Sequence, residues 1–215
     1  MDQFAAIQKL INEICADHDA CSRDFIGLEN VEMINLKKKS ISSVFSKDEG
    51  LHTPEPTFLT LIQQYLNVLN QRILHMEYDY DYRHWDLRNR VKHRDSIINK
   101  LFDYRYVRQE LGGVPLNKCM NDLLGFRIKI DGFDHTSEEV NEFLEELRQS
   151  EYKIVCNNSS KGEYSGTHIY LCGNNNFFPW ELQIWNPNDE QKNTDSHKDH
   201  KSKREYIKWP QQYNN

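Results

Sequence analysis

The sequence predicts an α+β protein with one β-sheet and helices packed on it. Aromatic residues make up 12% of the 215 residues, a proportion typical of chains that fold around a core. From residue 123 onward, segments with strand-like alternation and segments with helical periodicity follow one another in the order strand, helix, three strands, helix. A chain with this order of elements is expected to fold as an α+β domain.

Helices are expected before the first strand. Apolar residues at helical spacing predict an amphipathic helix over residues 3–15, whereas residues 17–55 are expected to form loops and short elements. A stronger apolar stripe predicts a helix over residues 57–75, with Pro56 at its start. A third helix is predicted over residues 90–104.

The elements of the sheet follow these helices. A strand is predicted over residues 123–130, because apolar residues alternate there and a turn, Asp131–Gly132, comes next. A helix with an acidic outer face is predicted over residues 137–149. Three further strands are predicted over residues 152–156, 167–172 and 180–185. A polar helical tail is predicted over residues 189–206.

Composition excludes several classes of protein. No apolar run approaches the ~18 residues of a membrane span, and the first residues lack the basic and apolar regions of a secretory signal. The five cysteines are odd in number and include no CxxC pair, which argues against a disulfide framework or a zinc ribbon. We therefore expect a cytoplasmic protein with reduced thiols and no membrane partner.

Charge is distributed unevenly along the chain. The net charge of -6 excludes a protein that is basic all over. Residues 83–108 nevertheless hold eight basic and three acidic residues, residues 192–208 hold six and three, and Lys37–Lys39 form a short basic run. Residues 131–151, in contrast, hold eight acidic residues and one basic residue. A single run is commonly a solvated face, but one anionic ligand could gather several basic blocks.

The first candidate site is a basic helix face. Lys92, Ser96 and Lys100 are four residues apart and therefore share one face of the predicted helix, with Arg90 just before it. Three cations and a hydroxyl group along one ridge match an extended polyanion such as a triphosphate. An ordinary solvated helix face would show the same spacing, so both interpretations stay open.

The second candidate site is a pair of carboxylates. Asp122 stands at the entry of the strand that carries Gly125 and Arg127, and Glu181 lies two residues before Gln183 on a later strand. If these strands are neighbours, Asp122 and Glu181 can meet over the sheet and hold Mg²⁺. The alternative is that both acids are exposed at strand ends.

The third candidate site combines a tyrosine and a histidine. Tyr164 follows Gly162 in a polar loop, and His168 lies on the next predicted strand. The ring of Tyr164 is expected to be accessible, so it could stack on a purine. A surface tyrosine and a structural histidine are the alternatives.

Together these motifs resemble the synthetase domain of the RelA/SpoT family in its short stand-alone form, the small alarmone synthetases. The family patterns are R-x-K-x-x-x-S-x-x-x-K, D-x-x-G-x-R, a Tyr four residues before a His, and E-x-Q with a His sixteen residues after the Glu. All four occur in the family's order between about residues 77 and 206. They are carried here by Arg90, Lys92, Ser96 and Lys100; by Asp122, Gly125 and Arg127; by Tyr164 and His168; and by Glu181, Gln183 and His197.

The resemblance implies a nucleotidyltransferase-like mixed β-sheet flanked by α-helices. It places a synthetase domain over residues 77–215 and a helical N-terminal extension over residues 1–76. It also implies an ATP-dependent pyrophosphokinase, which transfers pyrophosphate from ATP to a ribose hydroxyl group and releases AMP. The residues that would bind ATP are Arg90, Lys92, Ser96, Lys100 and Arg127.

The same resemblance implies roles for the remaining motif residues. Mg²⁺ would be the cofactor, held by Asp122 and Glu181. The catalytic residues would be Asp122, Glu181 and Gln183, with Glu181 as the base for the acceptor hydroxyl group. The acceptor would be bound by Tyr164, His168 and His197.

The acceptor side departs from the family pattern. The usual G-Y-R/Q-S-x-H is replaced by E-Y-S-G-T-H over residues 163–168, and the usual Arg-Thr, Asn and Glu after E-x-Q-I are replaced by Trp185, Asn186, Glu190 and Ser196. The Y-x-G-x-H form resembles the toxic small alarmone synthetases, some of which transfer pyrophosphate to the 3′-CCA end of tRNA. We therefore expect a toxin that modifies tRNA and blocks aminoacylation and translation, with a protein antitoxin as its partner.

A tRNA acceptor would need cations outside the ATP site. The candidates for contacts with the tRNA backbone are Lys37, Lys38, Lys39, Lys198, Lys201, Lys203 and Arg204. Two other functions stay open: an alarmone synthetase that makes guanosine tetra- or pentaphosphate from ATP and GDP or GTP, and an inactive nucleotide-binding interaction module. A homo-oligomer is also left open.

Overall fold

The computed structural model describes residues 3–46 and 53–202, and the side chains of all of these except residues 79 and 200–202. The helices in these ranges are α1 (Gln3–Ile26), α2 (Pro56–Ile73), α3 (Tyr78–Asp81), α4 (Arg94–Phe102), α5 (Leu116–Cys119), α6 (Glu138–Arg148) and α7 (Glu190–Ser202). The strands are β1 (Arg88–Val91), β2 (Leu124–Lys129), β3 (Ile154–Asn158), β4 (Thr167–Leu171) and β5 (Trp180–Trp185).

The described strands form one sheet in the order β1-β2-β5-β4-β3. β2 and β5 run parallel, and the other neighbouring pairs run antiparallel, so the sheet is mixed. Helices flank this sheet, and the chain begins with two long helices before the first strand. The predicted α+β class, with a mixed sheet and a helical N-terminal segment, is confirmed.

The sheet has an apolar face and a polar face. Phe126 of β2 is buried, whereas its neighbour Arg127 points to the opposite face and is half-buried. The apolar face receives α1 and α2, and Trp180 Nε1 of β5 donates a hydrogen bond of 2.8 Å to Tyr65 Oη of α2. The helical core therefore occupies one side of the sheet, and the polar side chains of the strands are left on the other.

The first helix is longer than predicted. It runs to Ile26 rather than ending near residue 15, so the expectation of loops from residue 17 is wrong for this stretch. The apolar stripe continues through His18, Cys21 and Phe25, which are all buried. A histidine and several acidic residues interrupt the hydrophobic pattern, although the helical period itself is kept.

The third predicted helix also begins differently. Residues 88–91 form the edge strand β1, and α4 begins only at Arg94, so Arg90 lies on a strand and not at a helix start. β1 has four residues, three of them polar, and its one neighbour among the described strands is β2. Such a short polar edge strand has too few apolar residues to show alternation.

Smaller differences concern element ends. β3 lies two residues later than predicted, and α7 is described as far as Ser202, so the last predicted helical residues, 203–206, lie outside the described part of the chain. Every helix within the described ranges is too short or too polar to cross a bilayer. The division at residue 76 stays a prediction.

Candidate active site

A cleft of about 630 Å³ opens on the polar face of the sheet. Strands β1, β2 and β5 form its floor, the segment before α4 forms one side, and α7 forms another. Its lining residues are Arg88, Asn89, Arg90, Lys92, His93, Ser96, Asp122, Gly125, Phe126, Arg127, Glu181, Gln183, Trp185, Glu190, Thr194 and His197.

The strand register explains why these residues meet. Arg90 of β1 lies opposite Gly125 of β2, and Gly125 lies opposite Glu181 of β5. Tyr170 of β4 continues the same row. Since Gly125 has no side chain, the floor of the cleft stays open between Arg90 and Glu181.

A second row of residues lies two positions from the first along each strand. It pairs Arg88 with Arg127, Arg127 with Gln183, and Gln183 with His168. Residues two apart on a strand share a face, so both rows are on the polar side of the sheet. The sheet thus brings the second and third candidate sites together with Arg90.

The lysines of the predicted basic helix face surround Asp122. Lys92 Nζ contacts Asp122 Oδ2, and Lys100 Nζ lies 3.0 Å from Asp122 Oδ1. Lys100 Nζ also donates to Asn121 Oδ1 at 2.9 Å. Ser96 lines the cleft on the same side. The predicted grouping of Lys92, Ser96 and Lys100 therefore holds in space, although Lys92 precedes the helix.

Charge pairing controls ionisation at Asp122. Burial alone would raise the pKa of this carboxyl group, but the positive charges of Lys100 and Lys92 and their hydrogen bonds lower it to about 2. Burial lowers the pKa of Lys92, against the attraction of Asp122, whereas Asp122 outweighs burial and raises the pKa of Lys100. Asp122 therefore acts as the internal counter-ion of two ammonium groups, one buried on Lys92 and one largely buried on Lys100.

The second carboxylate, Glu181, is 8% exposed and is held by hydrogen bonds. His168 Nδ1 lies 3.0 Å from Glu181 Oε1, and Gln183 Nε2 donates to Glu181 Oε2 at 2.8 Å. Burial alone would raise the pKa of Glu181, but the hydrogen bond and charge of His168, with the bond from Gln183, lower it. Glu181 is consequently a carboxylate oriented at both oxygens.

The two carboxylates are suited to a hard cation. Asp122 and Glu181 line the same cleft, and the negative charge of Asp122 acts to raise the pKa of Glu181, so the two groups are within electrostatic reach. Among the described residues, no group of three or more His, Cys, Asp or Glu side chains could hold a metal ion. Two carboxylates completed by substrate phosphates and water fit Mg²⁺, which is commonly bound in this way.

Aromatic residues enclose the other end of the cleft. Trp185 is fully buried, with the guanidinium carbon of Arg127 4.2 Å from its ring centroid and the ring of His197 stacked against it at 5.7 Å. Tyr164 meets the rings of His168, Trp185 and His197 nearly at right angles. The ring of Tyr164 is therefore half-buried among these neighbours, and not freely accessible as the sequence suggested.

Arg127 brings a hydrogen-bond donor to the cleft that no described residue satisfies. Arg127 Nε is buried and makes no hydrogen bond to the described residues. Burial and the nearby charge of Arg88 lower the pKa of Arg127, against the attraction of Glu190 and Asp86. An anion in the cleft would satisfy this donor.

Several residues of the site were not expected from the sequence. Arg88, Tyr170 and Trp185 each lie two residues from a predicted site residue on the same strand, so the two-residue period of a strand could have identified them. Asn193 of α7 could not be found in this way. It is fully buried, accepts a hydrogen bond from Ser165 N at 2.8 Å and donates one to Ser165 O at 2.7 Å.

The cations proposed for a tRNA backbone lie outside the cleft. Lys37, Lys38 and Lys39 are exposed on a turn anchored by the backbone bond from Leu36 N to Asn175 O. Lys198 is exposed, and its Nζ lies 3.4 Å from Asp195 Oδ1. The side chain of Lys201 and all of Lys203 and Arg204 are outside the described part of the structure.

Comparison with known proteins finds similarity among solved structures. No protein-family model matches the chain, and no curated protein matches it. Among solved structures, the small alarmone synthetase 1 from Bacillus subtilis matches over 66% of this chain and 75% of that chain, with 20% identity and a TM-score of 0.36.

Proposed function

We propose that this protein is an ATP-dependent pyrophosphokinase, which transfers the terminal pyrophosphate of ATP to a ribose hydroxyl group. One observation carries the proposal: a single cleft joins a wall of cations to two ionised carboxylates, the partly buried Asp122 and the buried Glu181. Transfer of a phosphoryl-type group depends on positioning and on neutralising charge, and this cleft supplies both. The sequence resemblance to the small alarmone synthetases supports the same reaction class.

The cations would bind the triphosphate. Arg90 and Lys92 line the cleft, and Arg127 brings a buried donor that lacks a partner among the described residues. Lys92 and Lys100 are paired with Asp122, so phosphate oxygens would replace this carboxylate as their partner. Ser96 adds a hydroxyl donor on the same side.

Asp122 and Glu181 would hold Mg²⁺ in this cleft. When bound, the ion would neutralise charge on the phosphate oxygens and so favour attack at the β-phosphorus. Phosphates would draw the ammonium groups of Lys92 and Lys100 away from Asp122. The bound ion would then supply the positive charge that Asp122 loses in this way.

Glu181 would accept the proton of the acceptor. The acceptor oxygen forms a bond to the β-phosphorus, the bond from this phosphorus to the oxygen of the α-phosphate breaks, and AMP leaves. The proton of the acceptor hydroxyl group passes to Glu181, whose carboxylate is ionised and oriented by His168 and Gln183. Removal of this carboxylate should therefore lower kcat.

We assign the 3′-CCA end of tRNA as the acceptor. Two features favour it over GDP or GTP. Glu190 stands where the family has the Asn that helps to read guanine, and Lys37, Lys38 and Lys39 offer exposed cations outside the cleft. A toxin acting on tRNA would require a protein antitoxin. The alternative acceptor, GDP or GTP, needs no cation beyond the cleft.

The test is a transfer assay with ATP labelled at the β- or γ-phosphate. The protein is incubated with bulk tRNA, or with GDP or GTP, in parallel. We expect label on tRNA and release of AMP in a one-to-one ratio. Label only in guanosine nucleotides would replace the tRNA assignment by the alarmone synthetase. A Glu181→Gln variant should bind ATP and transfer at least about 100-fold more slowly.

If the protein is instead an inactive interaction module, replacement of Glu181 should not change its effect on growth. If Glu181→Gln inhibited growth as strongly as the wild-type chain, catalysis would not be the cause of inhibition. The same comparison, made with and without a candidate antitoxin expressed from a neighbouring reading frame, tests the predicted partner.

A further inference from the structure

Hydrogen bonds continue from Glu181 toward the aromatic end of the cleft. His168 Nδ1 lies 3.0 Å from Glu181 Oε1, and His168 Nε2 lies 2.6 Å from Tyr164 Oη. Trp185 Nε1 then donates to Tyr164 Oη at 3.1 Å. Four side chains therefore form one chain from Trp185 to the carboxylate.

The chemistry of these groups fixes the direction of each bond. An indole N–H can only donate, so the oxygen of Tyr164 accepts from Trp185. Burial raises the pKa of Tyr164 to about 12, so its hydroxyl keeps a hydrogen, which it donates to His168 Nε2. Ionised Glu181 can only accept, so His168 Nδ1 carries a hydrogen toward it; Tyr170 Oη lies farther from the same Nδ1, at 3.3 Å. The donors all point toward Glu181.

We propose that Tyr164 is a positioning residue for Glu181 and that it acts through its hydroxyl group rather than through its ring. By donating to His168 Nε2, the hydroxyl group favours, together with the Glu181 carboxylate, the tautomer whose Nδ1–H faces Glu181 Oε1. Gln183 holds the other oxygen, so the carboxylate keeps one orientation in the cleft. The role of Glu181 as proton acceptor rests on the proposed function.

The residues around Tyr164 define the position of its hydroxyl group. A Cβ atom at Gly166 would lie 2.8 Å from Tyr164 Oη and 3.1 Å from Cζ, so only glycine leaves this position open. The loop is also fixed, because both backbone groups of Ser165 bond to Asn193. The loop that carries Tyr164 is thus tied to α7, and the missing side chain at Gly166 leaves room for the hydroxyl group.

The ring of Tyr164, in contrast, is engaged by its neighbours. It meets His168, Trp185 and His197 at 81° to 89°, with ring centroids 5.5 Å to 6.2 Å away. A base that stacked on this ring would have to displace such contacts. Stacking predicts that any aromatic residue suffices at position 164, whereas positioning by hydrogen bonds predicts that phenylalanine does not.

The test compares Tyr164→Phe with the wild-type protein. Phenylalanine keeps the ring and its contacts and removes the hydrogen bonds. We expect kcat to fall about 10- to 100-fold, as is typical when an outer partner of a catalytic group is lost. The Kd for ATP and the KM for the acceptor should stay within about 2-fold, because the cleft residues are untouched.

A second test variant and a control variant accompany Tyr164→Phe. Gly166→Ala should lower kcat in the same way, because its methyl group displaces the hydroxyl group without removing it. Tyr80→Phe is the matched control, since Tyr80 is 87% exposed on α3. Wild-type kcat in Tyr164→Phe would overturn the proposal, and so would a raised acceptor KM with unchanged kcat, which is the signature of lost stacking.

A second measurement is independent of activity. In ¹⁵N NMR spectra of histidine-labelled protein, the wild-type His168 should show one tautomer, with hydrogen on Nδ1, and Tyr164→Phe should show a mixture. An unchanged tautomer would overturn the proposal. If the wild-type protein transfers pyrophosphate to no acceptor, the proposed function fails, and this spectrum still decides whether Tyr164 controls His168.

Discussion

Several poorly exposed titratable residues in the described part of this protein are either paired or uncharged. Asp122, Lys92 and Lys100 are paired with one another, and an uncompensated charge at any of these positions would be costly. His18 is the uncharged case. It is 1% exposed on α1, and its Nε2 lies 3.0 Å from Phe178 O just before β5.

The stability of the fold should depend on pH through His18. Burial lowers the pKa of His18 to about 4, against the hydrogen bond to Phe178 and the charge of Asp19. The unfolded chain, with an ordinary histidine pKa of about 6.5, binds this proton first. His18 therefore contributes full stability above pH 6.5, and the contribution is lost as the pH falls from 6.5 toward 4.

The expected loss between pH 7.5 and pH 5 is about 2 kcal/mol from this residue. It can be measured by urea unfolding at several pH values. His18→Gln is the comparison, because glutamine can still donate to Phe178 O but does not titrate. Other buried groups, such as His135, contribute equally to both proteins. Parallel pH curves for the two proteins would contradict the prediction.

At the scale of elements, α7 depends on a few polar contacts. Lys129 Nζ of β2 lies 2.5 Å from Glu190 Oε1 at the first turn of α7, His197 stacks on Trp185, and Asn193 bonds to both backbone groups of Ser165. Asn193 is the buried α7 residue of this set. It couples the helix that borders the cleft to the loop that carries Tyr164.

Replacement of Asn193 by alanine should loosen both segments together. The change leaves the N–H and C=O groups of Ser165 without a partner, at a cost of about 1 to 3 kcal/mol. We expect faster hydrogen exchange over residues 160–166 and 186–202, with β2 unaffected. Asn141→Ala on the exposed face of α6 is the control. Unchanged exchange in the two segments would show that other contacts hold α7.

The elements also show where sequence reasoning succeeds and where it fails. β5 begins and ends as predicted and α2 differs by one or two residues at each end, because long apolar periods mark them clearly. The short polar strand β1 was missed, since its place is set by pairing with β2. Residues at regular spacing, such as Lys92, Ser96 and Lys100, could be grouped in advance. Asn193 could not, because its partner is 28 residues away.

At the scale of the whole molecule, net charge and local charge have different meanings. The chain carries a net charge of -6, yet its cleft is lined by Arg88, Arg90, Lys92 and Arg127. Acidic residues are concentrated on the outer face of α6 instead. A nucleotide would respond to the cleft alone, whereas a tRNA would also respond to cations beyond it.

The turn formed by Lys37, Lys38 and Lys39 distinguishes these two acceptors. All three side chains are exposed, so their replacement by glutamine should leave the fold intact. If tRNA is the acceptor, its KM should rise about 10-fold at moderate salt, while the Kd for ATP and the kcat at saturating tRNA stay unchanged. Each lost phosphate contact should also reduce the slope of log affinity against log salt by about 0.7 to 0.9.

The measurement is the transfer rate at several salt and tRNA concentrations, with Lys9→Gln on α1 as the control. Lys9 is also exposed but lies beside Glu13, so it should add little to the binding of an anion. A triple variant with the wild-type salt dependence would remove this turn from the tRNA surface. If GDP were the acceptor instead, its KM would be unaffected by the triple replacement, because the cations of the cleft would suffice for a single nucleotide.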